Sequence, residues 1–141
     1  MTTNDDRRRV TATGEMTLDI VFKDDTPVSA VPGGSALNTI VSLARAGIST
    51  AFVSATGDDY AGRRMRSFLE AEGVDVTSVK TACGMKSTVS LAVLDSRNNA
   101  SYTFYRDSRP LPYDGHPRPM NEGDILMLSS FHAVSPATRH M

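Results

Sequence analysis

Cysteine is nearly absent: Cys83 is the only one. It has no partner for an internal disulfide and no Cys or His neighbour at metal-ligand spacing, which fits a reducing, cytoplasmic setting. Surplus charge is missing as well. Fifteen Lys and Arg stand against 16 Asp and Glu, leaving a net charge of -1, with no basic excess to neutralise a polyanion. No nucleic-acid partner and no anionic membrane partner is expected. The arginines Arg7-Arg8-Arg9 resemble the head of an export signal, but Glu15 and Asp19 break the segment that follows, so no targeting or membrane-spanning segment is expected. His116, His132 and His140 stand too far apart for a local triad and outside any HExxH pattern, and His132 is expected as a polar loop residue. Internal repeats and low-complexity tracts are absent.

What remains is ordinary for a globular chain: 40% hydrophobic and 22% charged residues, with a mean hydropathy of -0.24. A chain of 141 residues supports one domain that buries about 70% of its unfolded surface. Residues 1–9, polar or charged after Met1, are expected to form a mobile tail, with the domain running over residues 10–141.

Val10 to Thr13 is a short β-type run that stops at Gly14. Leu18 to Phe22 and Pro27 to Val31 flank the polar stretch Lys23-Asp24-Asp25-Thr26 and predict a hairpin standing off the main sheet. From Ser35 the period becomes helical, with Leu37, Ile40, Val41 and Ala44 on one face and Gly47 as the stop. Thr50 to Ser54 predicts a strand, and Ala61, Met65, Phe68, Leu69 and Glu72 a second helix ended by Gly73. Strand, helix, strand, helix implies a parallel sheet. Ser87 to Leu94 and Ser101 to Tyr105 predict a hairpin around Asp95-Ser96-Arg97-Asn98-Asn99, whose asparagines tolerate positive φ. Parts of Val79 to Phe104 are expected to join the first hairpin in a small lid sheet. Four prolines make Asp107 to Met120 a loop, and Ile125 to Leu128 reads as a buried strand. Ser135-Pro136 is a helix-start signal close to Met141.

The segment Pro32-Gly33-Gly34-Ser35-Ala36-Leu37-Asn38 carries the functional signal. Two glycines at a helix start let a ligand approach backbone N–H groups, and Asn38, one turn on, adds an acceptor and two donors toward the same mouth. That suits a neutral polyhydroxylated ligand better than a phosphate. A P-loop needs Lys and Ser or Thr after its glycines, and no Lys lies between Lys23 and Lys80. A Rossmann dinucleotide fold is excluded because the first strand leads into Gly14-Glu15-Met16-Thr17 rather than Gly-x-Gly-x-x-Gly. Asp58 and Asp59 are acidic enough to suggest a metal, but are expected to cap the helix that follows.

Taken together, Gly14-Glu15 to Asp19, Pro32-Gly33-Gly34 to Asn38, Gly47, Thr56-Gly57-Asp58-Asp59-Tyr60-Ala61-Gly62, Gly73-Val74-Asp75 and Phe104-Tyr105-Arg106 resemble the ribokinase-like, PfkB-type carbohydrate kinases, in particular their fructokinase branch. Ile40 departs from the small residue often seen there. The resemblance implies an α/β fold with a parallel central sheet flanked by helices and a small β lid. It implies a sugar held by Asp19, Gly33, Gly34 and Asn38, with Arg106 reaching it from the lid. It also implies ATP-dependent phosphoryl transfer to a sugar hydroxyl, with ATP and Mg²⁺ as cofactors, fructose or a related ketose as substrate, and a possible homodimer through the lid. The Gly-Ala-Gly-Asp motif that supplies the family's base and anion hole has no counterpart in the sequence. The expectation is therefore the N-terminal part of such a kinase, its C-terminal half missing, with no catalytic residue and no ATP or metal bound by this chain alone. The alternative is a non-catalytic sugar-binding or dimerising fragment.

Overall fold

The computed structural model describes residues 8–113, 117–129 and 136. In chain order its elements are β1 (Arg9–Thr13), β2 (Thr17–Lys23), β3 (Thr26–Gly33), α1 (Ser35–Arg45), β4 (Ser49–Gly57), α2 (Tyr60–Ala71), β5 (Val79–Ala82), β6 (Val89–Leu94), β7 (Ala100–Tyr105) and β8 (Ile125–Leu128). They form two sheets. The main sheet has the order β5-β4-β1-β8 with every neighbour parallel. The lid sheet has the order β3-β2-β6-β7, in which the hairpins β2–β3 and β6–β7 are antiparallel and β2 and β6 are parallel.

Helical periodicity puts Ala36, Leu37, Ile40 and Val41 of α1 and Ala61, Met65 and Leu69 of α2 in the core. There they meet Ala12 and Phe52, both fully buried, together with Met16 and Leu18. At about 25 cal/mol per Å² of apolar surface, a side chain the size of Phe52 or Ile40 contributes about 1.5–3 kcal/mol by its burial. The two turns of the lid behave as their residues dictate: Asp24, Asp25 and Asn98 all take positive φ. Asp95 accepts hydrogen bonds from the backbone N–H groups of Arg97 and Asn99, closing the second turn.

Four expectations are corrected. Arg9 is not part of the tail but opens β1, its backbone N–H donating to Asp124 Oδ1 at 2.8 Å and its guanidinium to the Pro119 carbonyl. Of the span Val79 to Phe104, Val89–Leu94 and Ala100–Tyr105 join the lid as expected, and Val79–Ala82 does not. It pairs with β4 in the main sheet, because a helix leaving a parallel strand returns the chain beside that strand. The apolar run Ile125–Leu128 pairs with β1 as expected of a parallel strand, yet Ile125, Leu126 and Leu128 are exposed, since β8 is the sheet's edge among the described residues. Asp58 does not cap α2, and its partner is given below. Ser135, His116, His132 and His140 lie outside the described residues; Pro136 is an exposed turn residue.

Candidate sugar site

β1 ends where Gly14, Glu15 and Met16 carry the chain out of the main sheet into the lid, and β3 brings it back at Gly33 and Gly34 to begin α1. The two crossings lie side by side and leave a cleft of about 410 Å³ between the main sheet and the lid, lined by Glu15, Met16, Thr17, Asp19, Gly34, Ser35, Asn38, Thr88, Tyr102, Phe104 and Arg106. This is the carboxyl-end crevice where open parallel sheets place ligands. Gly34 has φ +117°, and a Cβ there would stand 2.7 Å from the Glu15 carbonyl oxygen, so only glycine joins β3 to α1 at this spacing. Among the described residues no side chain caps the first turn of α1, whose N–H groups open toward the cleft.

Asp19 occupies the centre of the lid wall. The register of the lid sheet sets Val31, Asp19, Ser90 and Phe104 side by side across β3, β2, β6 and β7. Ser90 is fully buried, and its hydroxyl donates to Asp19 Oδ1 at 2.6 Å. On the other side Gly33 is bare, and the Asp19 Oδ2 atom fills the place a Cβ would take. Further along the same face Tyr102 stacks on Phe104, with ring centroids 6.1 Å apart. The Arg106 guanidinium lies 5.3 Å from the centre of the Phe104 ring and 3.7 Å from Glu15 Oε2 across the cleft mouth. Nearby, burial and the Glu15 charge push the Tyr113 hydroxyl well above its ordinary pKa, against the pull of Arg106. Tyr113 therefore stays protonated. Ser35 Oγ and Ser129 Oγ meet at 3.0 Å, tying the start of α1 to the end of β8.

The family model for the pfkB family carbohydrate kinases matches residues 7–138. The chain belongs to this family. A fructokinase of Escherichia coli is 31% identical over 96 residues, covering 68% of this chain and 31% of that protein. An aminoimidazole riboside kinase of Salmonella typhimurium is likewise 31% identical over 96 residues, covering 68% of this chain and 30% of its own length. The crystal structure of fructokinase from Vibrio cholerae O395 in its apo form superposes with a TM-score of 0.80 at 25% identity, over 94% of this chain and 46% of that one. The architecture is thus the ribokinase-like α/β fold, and the chain spans about a third of the length of the curated relatives it matches.

In this pfkB-family chain the structure brings four of the five residues singled out from sequence, Asp19, Gly34, Asn38 and Arg106, to one cleft. The fifth, Gly33, backs the Asp19 carboxylate rather than facing the open space. Sequence reasoning did not find Ser90, Thr88, Tyr102 or Glu15. The alternation of the second hairpin was visible, but only the parallel pairing of β2 with β6 decides which of its faces meets Asp19. The approach to that hairpin is held by three carboxylates. Asp58 Oδ2 accepts from the Gly84 N–H, and Asp107 Oδ2 from the Lys86 N–H. Asp59 caps α2 through the Gly62 N–H and also accepts from both the N–H and the hydroxyl of Ser87. Burial works against the Asp59 charge, but the Ser87 hydroxyl and the Gly62 and Ser87 N–H groups together hold its pKa below the usual range. The Arg109 side chain and N–H, with the Lys86 N–H, hold Asp107 far below it.

Proposed function

We propose that the cleft binds a sugar, fructose or a related ketose, as the substrate half of an ATP-dependent carbohydrate kinase that transfers a phosphoryl group to a sugar hydroxyl. The observation that carries this reading is the Asp19 carboxylate, pinned between Ser90 and Gly33 and lining one cleft with Asn38. Carboxylate, amide and guanidinium supply acceptors and donors for vicinal hydroxyls, glycine lets a ring lie close to backbone, and the Tyr102–Phe104 wall offers apolar faces for C–H groups. Two carboxylates against one guanidinium along the lining favour an uncharged ligand over an anionic one.

The same balance does not suit a nucleotide triphosphate, and among the described residues no trio of His, Cys, Asp or Glu is placed to hold a metal. In this reading the cleft holds the sugar, and ATP with Mg²⁺ serves the whole kinase. The alternative, a fragment that binds sugar or pairs with a second copy without transferring phosphate, is supported by the exposed Val31, Tyr102 and Phe104 on the lid; it is the behaviour proposed for residues 1–141 alone. Without a positioned base or anion hole, rates fall on the order of 10²- to 10⁴-fold and a further 10²- to 10³-fold.

Titration calorimetry of residues 1–141 with fructose and ribose, beside a coupled ADP-release assay, tests both statements. Expected are saturable fructose binding, at least about tenfold weaker in Asp19→Asn, and no sugar-dependent ADP release above background. Absence of binding to every sugar would remove the site, and robust turnover would show that a base lies within these residues.

A further inference from the structure

We infer that Ser90 is a positioning residue for sugar selection: its buried hydroxyl fixes the Asp19 carboxylate in one orientation and so decides which pair of ring hydroxyls the cleft accepts. The inference rests on the sugar-site reading and adds a residue that no motif marks. Ser90 is adjacent to Asp19 in the parallel β2–β6 ladder and opposite Phe104 in the antiparallel β6–β7 ladder, so its side chain lies on the cleft face of the lid with an aromatic residue on its far side. It is nevertheless 0% exposed. A hydroxyl so enclosed needs a partner, and it has one, Asp19 Oδ1 at 2.6 Å, a distance typical of a hydroxyl donating to a charged oxygen.

The second constraint comes from the neighbouring strand. Gly33, opposed to Thr17 in the β2–β3 register, has no side chain, and Asp19 Oδ2 takes the place its Cβ would occupy. The carboxylate thus sits in a slot with a donor on one side and bare backbone on the other. Of its roughly four lone-pair directions Ser90 occupies one, and rotation that would present the others differently breaks the Ser90 bond. A carboxylate free to rotate would follow the hydroxyls of any epimer. A fixed one favours a single configuration at two adjacent carbons.

The test uses residues 1–141 with Ser90→Ala, Asp19→Ala and the double variant. Affinities for fructose and for its C3 and C4 epimers are measured by calorimetry, and the three-bond coupling between the Asp19 amide nitrogen and Cγ reports the Asp19 χ1 rotamer without any sugar. Expected in Ser90→Ala are fructose binding about three- to tenfold weaker, a fructose-to-epimer affinity ratio that moves toward unity, and a coupling that changes from a single-rotamer to an averaged value. In the Asp19→Ala background, which removes the acceptor, the Ser90→Ala change adds nothing, while Ser90→Thr, which keeps the hydroxyl, keeps the wild-type ratio. An unchanged coupling, an equal loss for all three sugars, or additive effects in the double variant would overturn the inference. Should the wild-type chain bind none of the sugars, the sugar-site reading falls and the coupling alone decides the positioning. If Ser90→Ala does not fold, Ser90→Cys, near in size and a weaker donor, carries the same comparison.

Discussion

Gly33 and Gly34 are neighbours with different reasons to be glycine, and substitution separates them. At Gly33 a Cβ would meet only the end of the Asp19 side chain, which can swing away. At Gly34 it would meet the Glu15 carbonyl and the Met16 Cα, which cannot, and the backbone already sits at φ +117°. Gly33→Ala is therefore expected to fold with about 1 kcal/mol less stability, the share of the lost Ser90–Asp19 bond, and to bind fructose at least about tenfold more weakly, because the displaced carboxylate no longer fits its slot. Gly34→Ala is expected to lose about 1–3 kcal/mol in urea unfolding, the usual magnitude for a side chain forced into a glycine-only conformation. Equal loss of stability in both variants would contradict this division. The pair was legible in the sequence as a ligand-facing turn, but the division of labour was not, since it depends on β2 lying against β3.

The start of α2 joins three parts of the molecule through one side chain. Asp59 caps the helix and holds Ser87, whose hydroxyl also accepts from the Gly57 N–H at the end of β4. Because its folded pKa is depressed, its contribution is fully present above the unfolded carboxylate pKa of about 3.9 and is lost as pH falls through the lower folded value. Asp59→Ala should lose about 1–2 kcal/mol at pH 7, as other caps do, and its stability deficit against wild type should shrink toward pH 3. A deficit independent of pH would show that the charge is not what holds Ser87. Most elements were legible from the sequence, because hairpin turns and helical stripes are local signals. β5 was not recognised as a strand of the main sheet, because four residues, Val79 to Ala82, carry too little pattern to show which neighbour they pair with. β8 was read as buried from its apolar run, whereas burial is set by what packs beside it, and an edge position leaves Ile125, Leu126 and Leu128 open.

On the scale of the whole molecule, the lid carries its apolar residues outward on the same face as the site. Val31 and Phe104, on the row that holds Asp19, are 47% and 50% exposed, and Tyr102 beside them 54%. For an apolar patch of this kind the expected cover is a second copy related by a two-fold axis. Sedimentation of residues 1–141 is expected to show a concentration-dependent shift from 15.2 kDa toward a dimer, abolished by Val31→Lys; a monomer at every concentration would dismiss it. The residues proposed to hold the sugar could be named from sequence because they fall in short motifs, Arg106 included, while the setting of Tyr102 and Phe104 beside Asp19 could not, since it depends on pairing across the 71 residues that separate Asp19 from Ser90. The main sheet has a longer reach still. β1 lies between β4 and β8, and its bond from Arg9 to Asp124 closes a separation of 115 residues. At about 5–20 residues per second of synthesis, a nascent β1 leaves the ribosome roughly 6–23 s before its second neighbour exists, while the lid hairpins close within microseconds of emerging. The last lid strand, β7, thus emerges before β8, and β1, paired with β4 on one side, spends that interval with its other edge open, so slower translation is expected to lengthen the time for which this edge is exposed.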